Sequence, residues 1–226
     1  MSYLIVVAHP DDEILGAGGT IHTLTQRGEK VNVCILCSEV EVRNFRPTTE
    51  ELASDIHEAN QEVGVNKIFL GGFPNIALNT VRQLDLVQYI EKIMEETESD
   101  VIFTHHPGDL NNDHRHVSIA CQAASRLFQR RENVKPLREL FFMEIPSSTD
   151  WALNSSINSF KPNSFVEIKE EGLMKKIDSL SKYRGVMRPY PHPRSNESLK
   201  GLAAYRGSQS GLIYAEAFES VFRRVF

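Results

Sequence analysis

Two short stretches concentrate the residue types that can carry chemistry. One is His9-Pro10-Asp11-Asp12-Glu13; the other runs His105-His106-Pro107-Gly108-Asp109-Leu110-Asn111-Asn112-Asp113-His114-Arg115-His116. Imidazole and carboxylate at that density are what a divalent ion of hard or borderline character takes as ligands. A catalytic zinc uses about three protein ligands and leaves a position open for water. His9 and Asp12 can supply two of them, and a histidine of the second stretch (His105, His106, His114 or His116) the third. Asp11 is then the leftover acid beside the ion, placed to take a proton from water. Such a set points to metal-dependent hydrolysis.

The elements that must position these residues follow from the apolar runs ahead of them. Tyr3-Leu4-Ile5-Val6-Val7-Ala8 is continuous, β-branched and too short for a helix, the pattern of a buried parallel strand. Residues 101–104 read the same way ahead of His105. Between them, Ile14, Ala17, Ile21 and Leu24 recur at helical spacing up to Gly28, and 31–36 forms a second strand. A polar loop with Arg43 and Arg46 leads to a helix from about Glu50 with Leu52, Ile56, Ala59 and Val63 on one face. Residues 67–70 make the third strand, and Val81, Leu84, Leu86, Ile90 and Ile93 the next helix. Val117, Ala120, Cys121, Ala124 and Leu127 lie on a helix after the second stretch, ahead of a fifth strand at 140–145. Strand and helix alternate, so the expected fold is a three-layer α/β sandwich with a mostly parallel sheet. In strand order 3-2-1-4-5 the first and fourth strands are neighbours at the topological switch point, and both stretches converge on one crevice. Gly18-Gly19 is costly inside a helix and implies close packing there, or backbone near a ligand.

The pattern changes after Pro146. Residues 147–163 read as an irregular loop around Trp151, 164–168 as a short edge strand, and Leu173, Ile177 and Leu180 as a helix. Arg188-Pro189-Tyr190-Pro191-His192-Pro193-Arg194-Ser195 is too proline-rich for either element. Leu199, Leu202 and Ala203 suggest a helix before Gly207, and 213–218 a last strand. One domain over 1–226 is expected, with a sheet core at 1–146 and an extension at 147–226 that covers one end of the sheet and completes the site.

Bulk properties narrow the function class. The chain has 226 residues and a net charge of −5, which gives no basis for a non-specific grip on nucleic acid or anionic lipid. No charged leader precedes an apolar segment and no 18-residue apolar run exists, so membrane insertion is not expected and a cytoplasmic location is. Cys34-x-x-Cys37 has redox-motif spacing, but Cys34 lies within the second strand and not at a helix start. Cys34 and Cys121 read as reduced core thiols.

Each feature also has a plainer explanation. Asp11, Asp12 and Glu13 can be first-turn acids favoured by the helix dipole, and Asp113 an N-cap. That leaves His9 unexplained. His22 and His57 lie outside both stretches and read as surface or packing residues.

Ala8-His9-Pro10-Asp11-Asp12-Glu13 followed by Gly16-Ala17-Gly18-Gly19-Thr20 closely resembles the signature of the LmbE-like, or PIG-L, zinc-dependent N-deacetylases. Thr104-His105-His106-Pro107 through Asp113-His114 resembles that family's second motif. The resemblance implies a Rossmann-like sandwich and one Zn2+ per chain on His9, Asp12 and His114, with His116 as the fallback ligand and Asp11 as general base. Several relatives carry a histidine three residues before the third ligand, serving the tetrahedral intermediate or the leaving amine. Asn111 stands there in this chain. The acid role then passes to His192, or is shared with Asp11; a turn residue without chemistry is the alternative for His192. The segment around His192-Pro193-Arg194-Ser195, with Tyr214-Ala215-Glu216-Ala217-Phe218, resembles a subgroup of bacterial surface-polysaccharide enzymes.

The expected substrate is a nucleotide- or lipid-linked N-acetyl amino sugar. Arg43, Arg46, Arg188 and Arg194 are candidates to hold an anionic group on it, with surface ion pairing as the alternative. Asn75, which replaces an acid of some relatives, His106 and Asn111 are further substrate-facing candidates. Homo-oligomers are common among such relatives. The rivals are a zinc hydrolase for another amide, such as a thiol-pathway N-acetylglucosaminyl conjugate, and a sugar- or nucleotide-binding module without chemistry. Against the latter, no Gly-x-Gly-x-x-Gly follows the first strand.

Overall fold

A computed structural model describes residues 1–38, 47–152 and 159–225. Arg43 and Arg46 lie outside the described residues. Strands β1 (Ser2–Val7), β2 (Lys30–Ile35), β3 (Lys67–Leu70), β4 (Val101–His105) and β5 (Glu139–Met143) pair in parallel, and β6 (Ser164–Glu167) and β7 (Ala215–Arg223) join antiparallel. Helices α1 (Asp12–Gln26), α2 (Thr49–Glu62), α3 (Gln83–Thr97), α4 (Asn112–Ala124), α5 (Lys169–Lys182) and α6 (Asn196–Ser210) complete it.

The layers follow from the alternation within β1. Tyr3, Ile5 and Val7 face a core built with Ile14 and Ile21 of α1, Ile56 of α2 and Ile177 of α5. Leu4, Val6 and Ala8 face the other, with Leu86 and Ile90 of α3 and Val117 and Ala120 of α4. A strand buried on both faces has no polar alternation, which is why it reads as one apolar run.

The sheet order is β3-β2-β1-β4-β5-β7-β6. The five-strand order expected from sequence is therefore the core of a seven-stranded sheet, which the C-terminal extension prolongs beyond β5. Met143 pairs with Phe218 and Phe165 with Ala217. Phe103 of β4 stacks on Phe141 at 4.7 Å and meets Phe218 edge-on at 4.8 Å, joining the extension to the central strands. β5 stops at Met143 and not at 145, because the Ile145 amide turns to Thr149 Oγ1 (2.8 Å). α3 begins at Gln83, so Val81 lies outside it, and Leu84 is 56% exposed instead of facing the core.

The Gly18-Gly19 pair is explained by close packing, against the extension. A Cβ on Gly19 would come within 2.9 Å of Ile168, and one on Gly18 within 3.1 Å of the Lys176 stem. Among the described residues no helix is long and apolar enough to cross a membrane.

Candidate metal and catalytic site

β1 and β4 are neighbours, Val6 pairing with Thr104, so the loops after them open side by side. His9 leaves β1, Asp12 begins α1, and His114 lies in the first turn of α4. Their side chains are buried and present three atoms to one point. His9 Nδ1 and Asp12 Oδ2 are 3.3 Å apart, Asp12 Oδ2 and His114 Nε2 3.1 Å, and the two imidazole nitrogens 3.2 Å. Ligands each bound at about 2.0–2.1 Å to a tetrahedral zinc lie ~3.3 Å apart, so the triangle has the size a zinc would need.

The far nitrogens of both histidines are held by carboxylates. His9 Nε2 donates to Asp113 Oδ2 (3.0 Å), and His114 Nδ1 to Asp109 Oδ2 (3.1 Å). This backing carboxylate sets tautomer and ring direction in zinc sites. The acids are fixed in turn. Asp113 accepts from the amides of Ile76 (2.6 Å) and Leu78 (3.1 Å). Asp109 accepts from Thr149 Oγ1 (2.7 Å), the Asn111 amide (2.8 Å) and Ser148 Oγ. Asp113 is thus not the α4 cap; Asn111 is, accepting the Asp113 amide at 2.9 Å. Burial works against charge on His114, yet Asp12 and Asp109 push its pKa up to about 10. Burial likewise opposes charge on Asp12, but His114 and His9 hold it well below the usual carboxylate range. Positive charge is favoured at this point, from a proton or from a divalent ion.

The other histidines of the second stretch do something else. His105 Nε2 accepts the Ala8 amide (2.8 Å) and its ring stacks on His114 at 3.8 Å. Burial, then His114, push its pKa down to about 3, so it is a neutral wedge under the triad. His116 faces Gln83 at 3.3 Å and takes no part. His106, a substrate-facing candidate by sequence, packs instead between Phe142 and Phe160 with Glu219 at 3.6 Å. Of the non-cluster histidines, His57 is exposed and His22 is buried 3.4 Å from Glu171.

Asp11 sits just before α1 with φ 99°, a left-handed conformation that costs a non-glycine residue roughly 1–2 kcal/mol. Its amide donates to Glu13 Oε2 (3.1 Å). Glu13 is wholly buried, and its Oε1 accepts from Tyr183 Oη (2.5 Å) and Asn60 Nδ2 (3.0 Å). Burial raises its pKa to about 8 despite those donors. The Asp11 carboxylate meets Arg194 Nη1 at 3.0 Å, and Arg194 Nε donates to Ser147 Oγ at 2.7 Å.

His9, Asp11, Asp12, His114 and Tyr183 line a cavity of about 770 Å3. Asn75, Asn111, Arg188, His192 and Arg194 also line it, whereas His106 does not. Two of the five are already engaged, Asn111 as a helix cap and Arg194 on Asp11. The Asn75 Oδ1 is buried without a hydrogen-bond partner among the described residues. His192 Nδ1 accepts the Arg194 amide (3.1 Å), leaving the proton on Nε2, and its ring meets Trp151 edge-on at 5.5 Å. Desolvation, Arg194 and Arg188 lower its pKa, which favours the neutral ring. It is therefore a neutral donor; acting as a general acid requires protonating it first. Residues with no distinct sequence signal also belong here: Tyr183 and Asn60 behind Glu13, and Ser148 and Thr149 behind Asp109; Cys37 of the Cys34-x-x-Cys37 pair is buried in the wall. Asp109 was visible only as one acid in a crowded stretch.

Comparison with known proteins adds a family. The family described as PIG-L, GlcNAc-PI de-N-acetylase, matches residues 4–125, a span holding the whole triad and both backing acids. The uncharacterized deacetylase YaiS of Escherichia coli (strain K12) is 26% identical over 189 residues, covering 80% of this chain and 89% of that protein. Among solved structures, GalB, the 4-carboxy-2-hydroxymuconate hydratase of Pseudomonas putida KT2440, superposes with a TM-score of 0.77 at 20% identity, over 100% of this chain and 98% of that one. N,N'-diacetylchitobiose deacetylase of Pyrococcus horikoshii gives 0.74 at 19% identity, over 97% of this chain and 83% of that one. At these identities the likeness is one of fold, and the fold carries a hydratase as well as a deacetylase.

Proposed function

The chain belongs to the PIG-L, GlcNAc-PI de-N-acetylase family, and from that premise we propose that it is a zinc-dependent hydrolase removing the acetyl group from an N-acetylated amino sugar. The observation that carries the reading is the buried triangle of His9 Nδ1, Asp12 Oδ2 and His114 Nε2, with a carboxylate behind each imidazole.

Those three residues would hold one zinc ion per chain, which supplies Lewis acidity to the amide carbonyl and to the attacking water. Asp11 takes the proton from that water on its carboxylate, which Arg194 keeps oriented. The His192 Nε2–H is a preset neutral donor for the charge that develops on the carbonyl oxygen. The proton held by Asp11 then goes to the departing nitrogen. Water is added across the C–N bond, and acetate and a free amine leave.

The cavity volume suits a sugar with a carrier attached. Trp151 offers a ring face at the rim, and the exposed Arg188 suits a phosphate or uronate on a nucleotide- or lipid-linked substrate. Asn75 Oδ1 is an acceptor for a sugar hydroxyl. The rival is hydration, since the same base and ion could deliver water to a C=C bond.

The test is an acetate-release screen over nucleotide-linked, lipid-linked and free N-acetyl sugars, run beside metal analysis of the purified protein. Release with stoichiometric zinc, abolished in Asp11→Asn, supports the reading. Absence of bound metal together with undiminished release by Asp11→Asn overturns it. Consumption of an enoic acid without amine formation points to hydration.

A further inference from the structure

We infer that Lys176 of α5 and Glu216 of β7 are positioning residues for the turn that carries Asp11 and Asp12, an inference that rests on the proposed function. The observation is a break inside α1. Ala17 has φ −144° and ψ 15°, outside the helical range, and separates the first turn from the remainder of the helix.

In an unbroken helix the Gly19 amide would donate to the Leu15 carbonyl. Here both groups are taken by the two side chains. The Gly19 amide donates to Glu216 Oε1 (3.1 Å) and the Thr20 amide to Glu216 Oε2 (2.7 Å). Lys176 Nζ donates to the Leu15 carbonyl (2.8 Å) and to Glu216 Oε1 (2.6 Å). The ion pair is buried and inserted into the hydrogen-bond ladder, a recognised cause of a helix kink. The carboxylate also sits where the second helical segment starts and its dipole is positive.

Burying two charges is expensive, and such a pair contributes little net stability compared with apolar side chains of similar volume. Its consequence here is directional. The turn bearing Asp11, Asp12 and Glu13 is freed from the axis of the rest of α1, and its angle is set by contacts 161 and 197 residues away in sequence. Asp12 Oδ2 must meet His9 and His114 within a few tenths of an ångström, so that angle governs how well the triangle closes. It also gives Glu216 of the Tyr214-Ala215-Glu216-Ala217-Phe218 segment a role apart from the cavity.

The test compares Lys176→Met/Glu216→Gln with wild type and with Lys175→Met, which removes a surface pair with Glu62 from the same helix. Each is loaded with Co2+, and its visible spectrum, kcat, KM and thermal unfolding are measured. The expected result is a cooperatively folded double variant with an altered cobalt spectrum. Its kcat falls about 10–100-fold with KM changed less than about threefold, since small misplacements cost that much. Lys175→Met matches wild type. A folded double variant with wild-type spectrum and kcat overturns the inference while leaving the proposed function intact. If wild type binds no cobalt and releases no acetate, the proposed function itself fails and the inference with it. Should the double variant not fold, Glu216→Gln decides: its amide oxygen still accepts one of the two amides, so the same spectral change is expected at smaller size, and its absence overturns the inference.

Discussion

Arg194 Nη1 lies 3.0 Å from Asp11 Oδ2, joining residues 183 positions apart in the wall of the candidate site. From sequence, Arg194 is a candidate to hold an anionic group of the substrate, with ion pairing as the alternative. A guanidinium spent on the base has a different kinetic signature from one spent on binding. Arg194→Met is expected to lower kcat roughly 10–100-fold with little change in KM, because orientation of the base is lost while ground-state binding is not. Arg194→Lys should recover part of the loss, since an ammonium restores the charge but not the fork that also engages Ser147. A raised KM at unchanged kcat would return Arg194 to the substrate.

Removal of metal gives the second prediction. Chelation should abolish acetate release, and one equivalent of Zn2+ or Co2+ per chain should restore it. Asp109→Asn and Asp113→Asn leave all three ligand side chains in place but weaken their orientation, so each should loosen metal binding about 10–100-fold. Competition with a chromophoric chelator measures this directly. Wild-type affinity in both variants would mean that the backing carboxylates are idle.

The parts of this site that the sequence disclosed are those whose position depends on local order. His9 and Asp12 follow a strand that buries both faces, and His114 opens a helix after the neighbouring strand; strand adjacency does the rest. Asp113 shows the limit. Its place at a helix start made it look like a cap, because nothing local reveals that His9 and the 76–78 backbone converge on it. His106 misled for the same reason: its spacing is that of a site residue, but its side chain turns to Phe142, Phe160 and Glu219. Tyr183 and Glu216 carry no periodic or motif signal for their contacts, which arise only when the extension adds β7 beyond β5 and sets α5 against α1.

Tyr183 supplies a third prediction. Tyr183→Phe removes one of the donors to the buried Glu13 carboxyl, which also receives the Asp11 amide. Leaving that acceptor short should cost about 1–3 kcal/mol of stability, read by denaturant unfolding. The left-handed backbone of Asp11 then loses support, so kcat should fall as well. Lost stability with unchanged kcat would confine Tyr183 to packing.

The chain has a single tryptophan, and Trp151 stands at the cavity rim, 48% exposed and against His192. A sugar stacked there should change its emission intensity and shift it to shorter wavelength, giving a binding assay free of turnover. Metal-free protein should still respond if the rim binds the sugar independently of the ion. No emission change with a substrate that is turned over would place the sugar elsewhere in the cavity.

The pH profile separates the two roles open to His192. Desolvation and the charges of Arg194 and Arg188 hold its pKa below 6.5. The shift thus favours the neutral ring over the protonated one. A charged His192 acid would make the rate fall as pH rises through that lowered pKa, and the fall would vanish in His192→Gln. A neutral Nε2–H donor predicts instead no such limb between pH 6.5 and 8. His192→Gln, whose amide can still donate, should then retain most of kcat, while His192→Ala loses about 100-fold or more, the usual effect of deleting one oxyanion donor. The imidazole can be titrated by NMR, with His192→Gln identifying its signal. In Arg188→Met one of the two cations is gone, and the His192 pKa should move upward toward 6.5. A downward shift, or none, would remove Arg188 from the electrostatics of the site.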